Sequence, residues 1–317
     1  MGAVQTAGLR SMEWGSEVSS VSLAIGGGKG GTGKSFLALN LGVALAELGK
    51  KVVLLDVDLA GGANLHTLLG IPLPQRTIEH FLRREAQIEE VMLDTPVVGL
   101  RLISGALVNL SDKLRYEEKK RLLKALKALR ADYLILDLGA GISPFTLDLF
   151  LSAQRKVVVV TPEGTAIENV YRFLRGAYLR GLRRMADEGI RRIIDLAFTG
   201  RDPSVRTPWE LLSRIEGLDG ETASRFRESL KGFGLCVIVN QLKRGEERQL
   251  GLSFKTVCRK YFGIDPLYLG YIPFDPKVSF AINRGRPFLL EYPHTEVAQC
   301  IRGIASRVIS GREMAVL

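Results

Sequence analysis

Residues 26–35 read GGGKGGTGKS, set between the apolar stretch VSLAIG and the helix-forming segment FLALNLGVALAELGK. Gly28 to Ser35 satisfy G-x-x-x-x-G-K-[ST]. A buried strand, a glycine turn and a helix in that order let successive backbone N–H groups wrap a phosphate, and the helix N-terminus adds partial positive charge. In such a loop Gly28, Gly30, Gly31, Thr32 and Gly33 supply backbone, Lys34 reaches the β- and γ-phosphates, and the Ser35 hydroxyl ligates Mg2+. A plain glycine-rich turn at a strand end is the alternative, but it does not require the lysine and hydroxyl.

The rest of the chain supports the α/β fold that this loop needs. Uniformly apolar runs recur at 21–26, 52–58, 100–104, 132–138, 156–161, 235–240 and 267–272. Strands without polar alternation are buried on both faces. Between them lie helical patterns, such as EEKKRLLKALKALR with Leu122, Leu123, Leu126 and Leu129 on one stripe. Gly49 stands where a helix C-terminal cap is expected. The expected fold is a P-loop NTPase-type α/β fold, with a mostly parallel sheet of about seven or eight strands covered by helices on both faces. The expected organisation is a flexible tail at 1–19, one ATPase domain over 20–310 and a short tail at 311–317. A basic, partly helical insertion is expected near 186–232, where two prolines delay the next apolar run.

Two strand ends carry acid. VVLLDVD delivers Asp56 and Asp58, and DYLILDL delivers Asp137. Carboxylates at successive strand ends converge on one edge of the sheet, where they can hold water around a hard cation. A strand-end Asp also serves as an ordinary helix cap, so position alone does not assign the role.

Composition narrows the context. Apolar residues make up 46% and charged residues 25%, as in globular chains. No window offers the about 18 uninterrupted apolar residues of a membrane span, and the N-terminus does not read as a secretory leader, so a cytoplasmic location is expected. Cys236, Cys258 and Cys300 form no C-x-x-C pair, which makes them free thiols rather than a disulfide or cluster framework. The net charge of +10 favours an anionic contact of some kind.

The run KGGTGKS, with Lys29 ahead of Lys34, resembles the deviant Walker A loop of the MinD/ParA family, a SIMIBI-type group of ATPases. DVDLAGGANLHTLLGI resembles the family's first switch region and DYLILDLGAGISPFTLDLF its second. TPEGTAIENVYRFLR and YIPFDPKVSFAINRGRPF are similar to segments of the FlhG/MinD branch. The resemblance covers most of residues 21–310. It implies a slow, Mg2+-dependent, partner-stimulated ATPase that dimerises on binding ATP and positions or regulates a cellular structure, such as flagella or polar machinery. Lys29 is implied to reach the partner's phosphates, although a solvated loop lysine would look the same in sequence. Asp58 is implied to orient the attacking water, with a contact to Mg2+ through water, and Asp137 to hold Mg2+ through water. Asn240 and Pro273 are implied to sit at the base. Departures from the family pattern are an extra residue before Asn64, Leu138 in place of Thr or Ser, and the insertion near 186–232. Gln5–Arg10 keeps part of an FlhG activating motif.

Partner surfaces remain open at this level. EVAQCIRGIASRVI aligns Val297, Ile301, Ile304 and Val308, which suits either a membrane interface or a packed last helix. The arginine-dense run at 172–192 suits either nonspecific DNA contact or a solvated helix face. A protein partner that stimulates hydrolysis is also expected. A metal-cluster carrier or a small-molecule synthetase would share the loop; the first needs paired cysteines, the second a substrate pocket.

Overall fold

All seven apolar runs form strands, and a short eighth joins them. The computed structural model describes residues 20–58, 62–106, 114–199, 205–243 and 250–314. The strands are β1 (Val21–Gly26), β2 (Val52–Val57), β3 (Met92–Asp94), β4 (Leu100–Ile103), β5 (Tyr133–Leu138), β6 (Arg155–Val160), β7 (Leu235–Leu242) and β8 (Leu267–Pro273). They make one sheet in the order β3-β4-β2-β5-β1-β6-β7-β8. Every pairing is parallel except β3 with β4. Three-residue β3 is too short to show a period, which is why only the structure reveals it.

The helices are α1 (Lys34–Glu47), α2 (Leu65–Leu68), α3 (Ile78–Leu82), α4 (Tyr116–Ala128), α5 (Pro144–Ser152), α6 (Gly164–Met185) and α7 (Glu188–Phe198), followed by α8 (Pro208–Glu216), α9 (Gly220–Lys231), α10 (Leu250–Phe262), α11 (Lys277–Asn283), α12 (Phe288–Glu291) and α13 (Glu296–Ser310). Alternation along the strands divides the core. In β5, Tyr133 and Ile135 pack with α1, α2, α11, α12 and α13, whereas Leu134, Leu136 and Leu138 pack with α3 to α10. Helix α1 ends where expected, with Gly49 left-handed at φ 75° and the Lys50 N–H returning to the Leu45 carbonyl at 3.1 Å.

Between 186 and 232 the described residues hold α7, α8 and α9, which bury Ile190, Ile194, Leu211, Ile215 and Phe226 against the second face. The tail at 1–19 lies outside the described residues, as do the last three residues.

The two candidate contact surfaces have internal partners. Val297, Ile301, Ile304 and Val308 of α13 are all buried against α1 and β8. The arginines of 172–192 are engaged within the chain. Arg180 and Arg184 donate to the buried Asp148, Arg172 to Glu168 and Arg183 to Asp195. Arg192 donates to Glu188, and Arg175 and Arg191 to backbone carbonyls.

Candidate functional site

The loop after β1 opens onto a cavity of about 540 Å3 at the C-terminal edge of the sheet. Gly30, Gly31, Gly33, Lys34, Ser35, Asp58, Asn64, Asn240 and Pro273 all line it. This is the crevice where the strand order reverses, because the connection from β1 leads to α1 on one face and that from β5 to α5 on the other.

Lys34 is 7% exposed, and its Nζ donates to the Lys29 carbonyl at 3.0 Å. Burial lowers its pKa, against the opposing pull of Asp137 and Asp58. Three carboxylates share the α1 side of the sheet by strand alternation: Asp56 and Asp58 on β2 and just beyond, and Asp137 on β5 in register with Asp56. Burial, reinforced by Asp56, raises Asp137 to about 8, although the Ser35 hydroxyl donates to it. Asp56 rises to about 6, also through burial, and accepts from the N–H groups of Leu65 at 3.0 Å and Asp58 at 3.3 Å. Asp56 thereby anchors the start of α2 rather than facing the cavity.

Asp137 Oδ1 is buried with no hydrogen-bond partner among the described residues. A buried carboxylate oxygen left in that state beside a serine hydroxyl and a lysine is costly unless a cation or ordered water completes it. The donor set, all oxygen, suits Mg2+. The residues present therefore fit a magnesium ion held by Ser35 and Asp137.

The Asp58 carboxylate lies against two glycines. A Cβ at Gly139 would lie 2.6 Å from Asp58 Oδ1, and one at Gly62 would lie 2.2 Å from Oδ2. No sequence period flagged Gly139 as part of the site. The switch residues 59–61 fall outside the described ones. Asn64 precedes α2 but makes no side-chain cap.

Gly28, Lys29 and Thr32 lie apart from the cavity lining, and Asp137 sits buried behind it, next to Ser35. A Cβ at Gly28 would stand 2.0 Å from the Asn169 carbonyl, so this glycine lets α6 approach the loop. The Lys29 side chain points outward, with Nζ 3.7 Å from Glu163 at the start of α6 and about half of its surface exposed. Thr32 is buried, and its carbonyl accepts from Asn240 Nδ2 at 2.8 Å. Asn240, expected at the base, holds the loop. Gln241, which the sequence did not single out, donates to the Gly31 carbonyl at 3.2 Å.

The three cysteines are spread over both faces of the sheet. Cys236 packs on the α1 face, Cys258 on the opposite face, and Cys300 lies on α13. They do not converge on the cavity.

A parallel sheet with a phosphate loop at its reversal point, a buried lysine and paired strand-end acids defines a P-loop nucleotide-hydrolysing protein. The family described as ParA, NUBPL iron-transfer P-loop NTPase, matches residues 18–177, and the chain belongs to this MinD/ParA family of ATPases, on its FlhG-like side. It is 29% identical over 298 residues to an uncharacterized ATP-binding protein of Methanocaldococcus jannaschii, covering 94% of this chain and 90% of that one. It is 27% identical to the antiactivator FleN of Pseudomonas aeruginosa, covering 91% and 86%. Its fold matches the septum site-determining protein MinD of Pyrococcus horikoshii, solved with Mg-ADP, at a TM-score of 0.61 and 21% identity over 92% of this chain and 98% of that one. The chain is thus a MinD/ParA-type ATPase, similar to proteins of the MinD and FlhG branch.

Proposed function

We propose that the chain is an ATP-operated dimer switch in which Lys34, Ser35, Asp58 and Asp137 form the cis half of the site and Lys29 serves the partner protomer. The observation that carries this reading is the opposite placement of the two loop lysines. Lys34 is buried in the cavity, while Lys29, five residues earlier, projects outward beside it, with a long, exposed pairing to Glu163. An exposed pair of this kind contributes little, so Lys29 is available to an incoming phosphate.

In the hydrolytic step, water attacks the γ-phosphorus, the β,γ-bridging P–O bond breaks, and ADP and phosphate leave. Asp58, fixed between Gly62 and Gly139, orients that water by accepting its hydrogen. Lys34 and the loop N–H groups stabilise the charge on the β- and γ-oxygens. Magnesium, held by Ser35 and Asp137, supplies further neutralisation when bound. Asn240 and Pro273 border the base.

The likeness to FleN and MinD supports a role in fixing where or how much of a cellular structure is built, through a protein partner that stimulates hydrolysis. Membrane contact through α13 is the weaker reading, since its apolar stripe is buried inside the chain; in the 172–192 run Arg180 and Arg184 serve the buried Asp148, whereas Arg172 and Arg192 hold only exposed pairs and leave DNA contact as a second reading. The test is turnover: Asp58→Ala is expected to reduce ATP hydrolysis at least a hundredfold while ATP still binds. Turnover within threefold of the parent would remove Asp58 from its role.

A further inference from the structure

β7 ends irregularly at the cavity. Val239 pairs with Tyr271 and Leu242 with Pro273, so two residues of β7, Asn240 and Gln241, stand opposite the single residue Ile272. This is a bulge, and Gln241 sits in it at φ 61°, in the left-handed region that long side chains avoid. Its effect is visible on the two faces of the sheet. Cys236 and Ile238 pack on the α1 face, and Val237 and Val239 on the other. Strict alternation would send Gln241 after Val239 into that second core. The extra residue instead gives this place to Leu242, which packs there, and frees Gln241 for the loop.

The freed side chain has a specific acceptor. Gln241 Nε2 donates to the Gly31 carbonyl at 3.2 Å, and Asn240 Nδ2 donates to the Thr32 carbonyl at 2.8 Å. Two consecutive side chains of one strand hold two consecutive carbonyls of the phosphate loop. The loop can accept an anion only with its N–H groups turned inward and its carbonyl dipoles turned away. Left to itself, a glycine-rich segment spreads over many conformations and loses that freedom on binding. The bulge also sets the Leu242 carbonyl against the Phe274 N–H at 2.9 Å, so the clamp is anchored in the cavity wall.

We propose that Gln241 is a positioning residue which, with Asn240, holds the phosphate loop in its anion-accepting shape before nucleotide arrives, the left-handed backbone being the strain that this geometry requires. The proposal rests on the reading of the loop as the nucleotide site. Two variants separate the amide from the backbone. Gln241→Gly tolerates the φ angle and removes the side chain; Gln241→Asn also tolerates it but ends one methylene short. Calorimetry would give the ADP affinity, and competition against ADP the affinity for inorganic pyrophosphate, which has no base. Both variants are expected to weaken ADP and pyrophosphate alike, by about fivefold, the factor that one hydrogen bond of about 1 kcal/mol supplies, with Tm unchanged. Unchanged affinities would overturn the proposal. So would a loss for ADP alone, which would place Gln241 at the base. If the parent protein binds neither ligand, the nucleotide-site reading itself falls, whatever the variants do.

Discussion

Burial sets the chemistry of single residues at this site. Burial, with Asp56 beside it, pushes the metal-free Asp137 carboxyl up to about 8, against 3.8 for an ordinary aspartate. Between those limits the folded chain binds more protons than the unfolded one, so metal-free stability is full at low pH and falls as pH rises towards 8. Thermal unfolding in EDTA is expected to show that decline, and Asp137→Asn to flatten it by raising the Tm at pH 8 by a few degrees. An equal slope in the variant would contradict the assignment. Asp58 depends on the emptiness around it. Gly139→Ala places a methyl 2.6 Å from its Oδ1, and the expected outcome in a turnover assay is at least a tenfold loss of hydrolysis with ADP binding retained. The loop lysines and the three acids are visible in sequence because each belongs to a local motif. Gly139 is legible only as a member of the second switch segment, without its closeness to Asp58, and Gln241 not at all, since a packed backbone and a bulged strand end leave no periodic trace.

At the scale of elements, seven strands follow from apolar runs alone, because a strand buried on both faces admits no polar alternation. What sequence could not decide was which amphipathic faces would be covered. The stripe of α13 and the arginines of α6 and α7 fit an external surface as well as an internal one until the neighbouring elements are placed. Asp148 on α5 shows the difference. It is 8% exposed and receives Arg180 and Arg184 from α6, with Lys119 of α4 3.9 Å away. Replacing it by Ala leaves those cations facing a half-buried gap. Allowing for the partial exposure of the arginines, a loss of about 2 kcal/mol in unfolding free energy is expected, read from urea denaturation, without change in nucleotide affinity. A variant as stable as the parent would show that these contacts are ornamental.

For the whole molecule, the sheet, loop and acids form a cavity beside which Lys29 stands exposed. Among the described residues Lys29 pairs with Glu163 alone, and that long, exposed contact yields readily to a phosphate. A dimer assembled across two such cavities would bury both nucleotides and separate again once the γ-phosphate is lost. The central claim is therefore a nucleotide-dependent change in mass that requires Lys29. Size-exclusion chromatography with light scattering on Asp58→Ala, in Mg-ATP and in Mg-ADP, measures it directly. The account predicts a dimer in ATP alone, and a monomer in both nucleotides once Lys29→Ala is added. A dimer that persists in ADP, or that survives the loss of Lys29, would contradict it.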